Sequence, residues 1–253
     1  MPRIFSTIII TILSFNTLYS QILTNDYSFL FPESNLKIKY HDEWGAKNYK
    51  DVINNFKKNP LKFNQIVFLG NSITAEGGNW GEKLNCPNIR NRGIAGDVTD
   101  GVLARIDEII YFKSKAVFLL IGINDLWNFS PSTPSTKYIS KNILKIAKEI
   151  KNGSPETRVY VQTILPTSKS IYVENINKIN NIIKSKSSKF NFTVIDLHSH
   201  FENNDGFIKR ELTTDGIHLN SKGYQVWAEI VRPLISNLKW FFIWLTRGLN
   251  LED

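Results

Sequence analysis

Cysteine is almost missing from this chain: Cys86 is the single one in 253 residues. No disulfide can form within the chain, and no cysteine-based metal site can be built. Stability must therefore come from a buried core, for which this length is ample. Long apolar runs are also scarce. The run from Ile4 to Phe15 and the run Trp240-Phe241-Phe242-Ile243-Trp244-Leu245 both fall short of the roughly 20 residues a membrane-spanning helix needs. Dense blocks of one charge are absent too. The formal charge is +8, but the lysines are scattered, and phosphate backbones are held by clustered charge. Nucleic acid is therefore not an expected partner. No internal repeat and no low-complexity linker interrupts the chain, so a single main domain is expected.

What is present falls into segments. Arg3 followed by the Ile4–Phe15 run, with Ser20 before a plausible cut at Gln21, reads as a signal peptide over residues 1–20. Export to a bacterial periplasm or exterior agrees with a chain that lacks disulfides. Residues 21–60 read as an N-terminal extension and a helix, in which Trp44, Tyr49, Val52, Ile53 and Phe56 form an apolar stripe ended by Pro60. Residues 61–238 form the main domain. The tail, residues 239–253, is apolar at Trp240–Leu245 and is expected to pack on the domain, touch a membrane surface or contact another copy.

Within the main domain the rhythm is regular. Strand-like runs occur at Gln65–Leu69, Asn88–Asn91, Ala116–Ile121, Arg158–Ile164 and Phe192–Leu197. Helical stretches lie between and after them at Gly81–Leu84, Thr99–Tyr111, Thr136–Asn152, Ile171–Lys189 and Ser221–Leu238. Alternation of this kind predicts an α/β fold with a five-stranded parallel sheet and helices on both faces.

Four polar blocks end or follow these runs. Gly70-Asn71-Ser72 places Ser72 at a carboxyl strand end, where ligands bind in open parallel sheets. Gly96, in Asn91-Arg92-Gly93-Ile94-Ala95-Gly96-Asp97, can bring a backbone N–H close to a ligand. Gly122-Ile123-Asn124-Asp125 offers the Asn124 amide as a neutral donor. Asp215-Gly216-Ile217-His218 spaces a carboxylate three residues from an imidazole, close enough to fix its tautomer. Each block alone has a plainer reading as a turn or helix cap. Together they hold a nucleophile, oxyanion donors, a base and a group that orients the base. A rival site is His198-Ser199-His200, whose two imidazoles could hold a metal, although no third ligand is evident. His41 carries no context.

These blocks resemble the four conserved-order blocks of the SGNH hydrolases, also called GDSL-type esterases and lipases, over roughly Asn64 to Leu238. The resemblance implies a flavodoxin-like three-layer α/β/α sandwich. It implies Ser72 as nucleophile, His218 as base and Asp215 as its partner, with an oxyanion hole from the Ser72 N–H, the Gly96 N–H and the Asn124 side chain. It implies neither metal nor cofactor. One departure is Asn71, where the family has aspartate. Gly-Asn-Ser-Ile-Thr together with the Gly96 block is similar to secreted bacterial members that remove acetyl groups from sugars. The expected substrate is thus a small ester, an acetylated sugar foremost. Trp80, Trp127 and Phe129 are candidates to stack on it. A lysophospholipase or thioesterase, and a non-catalytic carbohydrate-binding protein on the same scaffold, are the alternatives.

Overall fold

The structure, a computed structural model, describes residues 26–127 and 133–248. Residues 1–20, read from the sequence as a signal peptide, and Phe129 lie outside the described residues. A helix, α1 (Glu43–Lys58), precedes the sheet; Asp42 caps it by accepting from the Gly45 N–H at 2.6 Å. The sheet strands are β1 (Ile66–Gly70), β2 (Ile89–Gly93), β3 (Ala116–Leu120), β4 (Arg158–Gln162) and β5 (Thr193–Ile195). Between β1 and β2 lie two single-turn helices, α2 (Ser72–Ala75) and α3 (Trp80–Lys83). The next connections carry α4 (Thr99–Leu103) and α5 (Asp107–Tyr111), then α6 (Ile123–Trp127) and α7 (Thr136–Gly153). The long α8 (Ser170–Phe190) links β4 to β5, and α9 (Leu197–Phe201) and α10 (Ser221–Gly248) complete the chain.

All strand pairs are parallel, in the order β2-β1-β3-β4-β5. This is the flavodoxin-like doubly wound α/β sandwich. In β1 and β3 every residue is buried, because helices cover both faces, and their sequences are accordingly continuous apolar runs. The register sets Phe68 beside Phe118 and Phe118 beside Tyr160. Their rings stack at 4.9 and 4.6 Å between centroids. The chain runs from β1 outward to β2, then back across to β3. The carboxyl ends of β1 and β3 therefore flank the point where the winding reverses, the place where such sheets form their crevice.

Three expectations need correction. Trp80 does not face a ligand site: it is 1% exposed. Its ring stacks on Phe68 at 4.3 Å and meets Trp227 edge-on at 4.7 Å, while its indole N–H donates to the Thr74 carbonyl at 3.1 Å. Burying so large a ring against the aromatic ladder of the sheet is worth more than leaving it in a loop. Trp44 is not part of the buried stripe of α1. It stands five residues from Tyr49, which rotates it well off the Tyr49–Ile53 face, and it is 60% exposed. The single helix expected over Thr99–Tyr111 is two, because the chain between α4 and α5 turns Arg105 inward. Its guanidinium donates to the carbonyls of Arg92 at 2.8 Å and Gly70 at 3.1 Å.

The last helix is longer than the sequence pattern predicts, running through Trp240–Leu245 to Gly248; the side chains of that run lie outside the described residues. Among the described residues no helix is long and apolar enough to cross a membrane.

Candidate active site

The turn after β1 is tight. Asn71 is fully buried and caps α2, its Oδ1 accepting from the Ile73 N–H at 3.1 Å. This is the capping use that any short polar side chain with an accepting oxygen can serve, so asparagine fills the position without a charge. The turn puts Ser72 at the first position of α2.

From the other end of the chain, the segment between α9 and α10 brings His218 to Ser72: Nε2 and Oγ are 3.0 Å apart. On its far side, His218 Nδ1 lies 2.7 Å from Asp215 Oδ2. An ionised carboxylate only accepts, so Nδ1 carries the proton and Nε2 of the neutral ring is free to accept from Ser72. Burial works to raise the Asp215 pKa, but the hydrogen bonds from the His218 ring and from the N–H groups of His218 and Ile217 outweigh it, and hold it at about 2. The dyad is built by short-range geometry. Gly216 adopts φ +88°, and a side chain there would collide with Ser168. The Ser168 N–H donates to the Gly216 carbonyl at 2.9 Å. Thr214 N–H and Thr213 Oγ1 donate to the His218 carbonyl at 2.9 and 2.7 Å.

Gly96 follows β2. Residues 94–97 form a β-turn closed by the Asp97 N–H on the Ile94 carbonyl at 3.1 Å. With φ +80° at Gly96 and no positive φ at Ala95, the turn is type II, which requires glycine at that place. Asn124, from α6, donates one amide N–H to the Asp97 carbonyl at 2.9 Å. An amide nitrogen has two hydrogens, so one remains for a ligand.

Behind this loop lies a buried ionic cluster. Asp97 is fully buried; its Oδ2 accepts from Arg105 at 2.8 Å and its Oδ1 is 3.1 Å from His41 Nε2. Nearby, Asp125 accepts from the hydroxyl and the N–H of Thr99. Burial pushes its pKa up to about 7, and the two Thr99 hydrogen bonds offset this only partly.

Ser72, His218, Gly96 and Asn124 all line one cleft of about 590 Å³. Trp127 lines it as well, 40% exposed, its ring stacked on Tyr172 at 5.6 Å with Lys169 Nζ 4.8 Å from its centre. Sequence reasoning missed five of the cleft's walls: Tyr40, Asp42, Trp44, Glu76 and Val98. Glu76 Oε1 is 3.8 Å from His218 Nε2. Trp44 could have been found by its angle to the apolar stripe of α1; the others leave no local signal. His198 belongs to a different structure. Its ring meets the Ile164 carbonyl at 2.9 Å and Glu202 at 3.3 Å, and among the described residues no group of three or more His, Cys, Asp or Glu could hold a metal.

A hydroxyl hydrogen-bonded to an oriented imidazole, with free N–H donors in the same cleft, can attack a carbonyl and stabilise the resulting oxyanion. Comparison with known proteins agrees with that chemistry. Residues 68–226 match the GDSL-like Lipase/Acylhydrolase family. A GDSL esterase/lipase of Arabidopsis thaliana is 26% identical over 207 residues, 70% of this chain and 80% of that protein. A GDSL-like lipase from Bacteroides thetaiotaomicron superposes with TM-score 0.66 at 19% identity, covering 75% of this chain and 98% of the other. An acetyl xylan esterase superposes with TM-score 0.59 at 22% identity, covering 68% and 99%.

Proposed function

The chain belongs to the GDSL-like lipase/acylhydrolase family and is a carboxylic ester hydrolase, and from that premise we propose that it removes acetyl groups from carbohydrates through an acyl-enzyme on Ser72. The observation that carries this reading is the continuous line from Ser72 Oγ to His218 to Asp215, at 3.0 and 2.7 Å, opening on the cleft that Gly96 and Asn124 also line. His218 Nε2 takes the proton as Ser72 Oγ attacks the ester carbonyl. The Ser72 and Gly96 N–H groups and the free Asn124 N–H receive the oxyanion. His218 then returns the proton to the departing alcohol, and a water molecule repeats the sequence on the acetyl-serine. Asp215 holds the ring and balances the imidazolium.

Two features support a sugar as the alcohol. Trp44 and Trp127 are exposed at the cleft, and flat aromatic faces suit the apolar faces of sugar rings. Among the described residues the carboxyl groups on the cleft wall are Asp42 and Glu76, with no lysine or arginine beside them on that wall, in a chain of net charge +8, so a neutral substrate suits it better than an anionic lipid headgroup. A structural neighbour is an acetyl xylan esterase. The basic and apolar opening of the sequence supports export before action.

Ser72→Ala is expected to abolish hydrolysis of p-nitrophenyl acetate and labelling by a fluorophosphonate while leaving circular dichroism unchanged. Full activity in that variant would sink the assignment. A panel of acetylated xylan fragments, p-nitrophenyl esters of rising chain length and lysophospholipid decides the substrate. Preference for the lysophospholipid would overturn the sugar.

A further inference from the structure

We propose that Asn48, on α1 and outside the family-matched segment 68–226, is a positioning residue that aims the Gly96 N–H into the cleft. This rests on the reading of Gly96 as an oxyanion donor. The argument begins with one peptide plane. The carbonyl of Ala95 and the N–H of Gly96 belong to the same trans peptide, so they point in opposite directions. Asn48 Nδ2 donates to the Ala95 carbonyl at 2.8 Å. Held toward α1, that carbonyl leaves the N–H directed away from the helix. No hydrogen bond among the described residues uses the Gly96 N–H, and Gly96 lines the cleft beside Ser72 and Asn124.

The turn itself makes this hold consequential. Type I and type II turns differ by a flip of the central peptide. In the 94–97 turn the central peptide is Ala95–Gly96. Glycine at position 96 permits φ +80° but does not enforce it, since glycine occupies negative φ as readily. Something outside the turn must choose, and Asn48 bonds the atom that moves furthest in the flip. The same bond polarises the peptide, which makes its N–H a better donor. The helix also closes on the turn sterically. The Gly96 carbonyl would lie 3.3 Å from a Cβ at Gly45, and a Cβ at Gly96 would meet the Trp44 ring at 2.9 Å.

Tyr49 supplies the control. Its hydroxyl, on the same helix, donates to the Gly101 carbonyl at 2.8 Å, which tethers the segment without touching the peptide that carries the donor. The experiment compares Asn48→Ala, Asn48→Asp and Tyr49→Phe in the full chain. Steady-state hydrolysis of p-nitrophenyl acetate, inhibition by a trifluoromethyl ketone and thermal unfolding are measured for each. Loss of an oxyanion donor costs on the order of 100- to 1,000-fold in kcat. A misaimed one is expected to cost ~10-fold in Asn48→Ala, and more in Asn48→Asp, whose carboxylate repels the Ala95 carbonyl. KM should stay within about twofold, and the ketone, which binds as a tetrahedral adduct, should weaken by the same factor as kcat. Tyr49→Phe should keep wild-type kcat even where its Tm falls as far. The proposal fails if Asn48→Ala turns over at the wild-type rate, or if all three variants lose activity in step with Tm. A wild-type enzyme that neither hydrolyses the ester nor reacts with a fluorophosphonate would overturn the esterase reading itself, and with it the role of Gly96.

Discussion

The proposed base and the proposed oxyanion loop are built in opposite ways. Asp215 and His218 sit on a surface turn, their side chains 53% and 30% exposed, and they are held mainly by bonds within residues 213–218, with the Ser168 N–H on the Gly216 carbonyl tying the turn to the domain. The loop around Gly96 stands on Asp97, which is wholly buried and bonded to Arg105 and to His41, 56 residues earlier in the chain. The difference follows from the work each does. A base exchanges a proton every turnover and needs access to water, and three local bonds suffice to fix one ring. An oxyanion donor must be aimed before charge develops, because reorganisation during the reaction would consume what it contributes. Aim of that kind comes from a rigid surround.

The largest break in this contrast is expected from Asp215→Asn. The turn loses the acceptor that fixes the His218 tautomer, and kcat should fall about 10,000-fold, as when a triad carboxylate is neutralised elsewhere. Its Tm should stay within about 2 °C of wild type, since exposed ion pairs contribute little. Equal losses of activity and stability would show that the turn is not the independent unit described. Asp97→Asn inverts the pattern. It strands the Arg105 guanidinium in the interior at a cost of ~3–5 kcal/mol, which lowers Tm by on the order of 10 °C in a domain of this size. A Tm unchanged by that substitution would mean the buried cluster does not anchor the loop.

The smallest effect separates the two regions by pH. Asp215 stays ionised down to about pH 2, so this carboxylate should contribute no acid limb to kcat/KM above that pH. Asp125 reports on the interior. Its carboxyl titrates near 4 in the unfolded chain and at about 7 when folded. Between those values the folded state holds the extra proton, so this group lowers stability as pH rises through that window. Urea midpoints at pH 5 and pH 8 should differ more in the wild type than in Asp125→Asn. Identical pH dependence in the two proteins would remove Asp125 from the account.

What the sequence made legible was local. Ser72, Gly96, Asn124 and the Asp215–His218 pair each follow a strand or precede a helix, and strand order does the rest, because a parallel sheet delivers all its carboxyl ends to one edge. The strands β1 and β3 were plain for the same reason: burial on both faces writes an unbroken apolar run. Trp80 was misread because nearness to Ser72 in the chain says nothing about which side of a one-turn helix a ring leaves from. Arg105 looked like an ordinary helical residue; only the carbonyls of Gly70 and Arg92, 35 and 13 residues earlier, explain why it breaks the helix. The contacts of His41, Asn48 and Trp44 with the Gly96 loop span about half a hundred residues and have no periodic trace.

Helix α1 carries a consequence for where this enzyme begins. The recognisable family segment starts at Phe68, after α1 has ended. A chain trimmed to that segment would keep all three members of the Ser72–His218–Asp215 relay and lose His41, Trp44 and Asn48 together. The segment the family shares and the unit proposed to work thus have different borders. If α1 aims the Gly96 N–H as proposed, the working unit reaches back into that helix, and a library of truncations sorted by turnover should find its edge there.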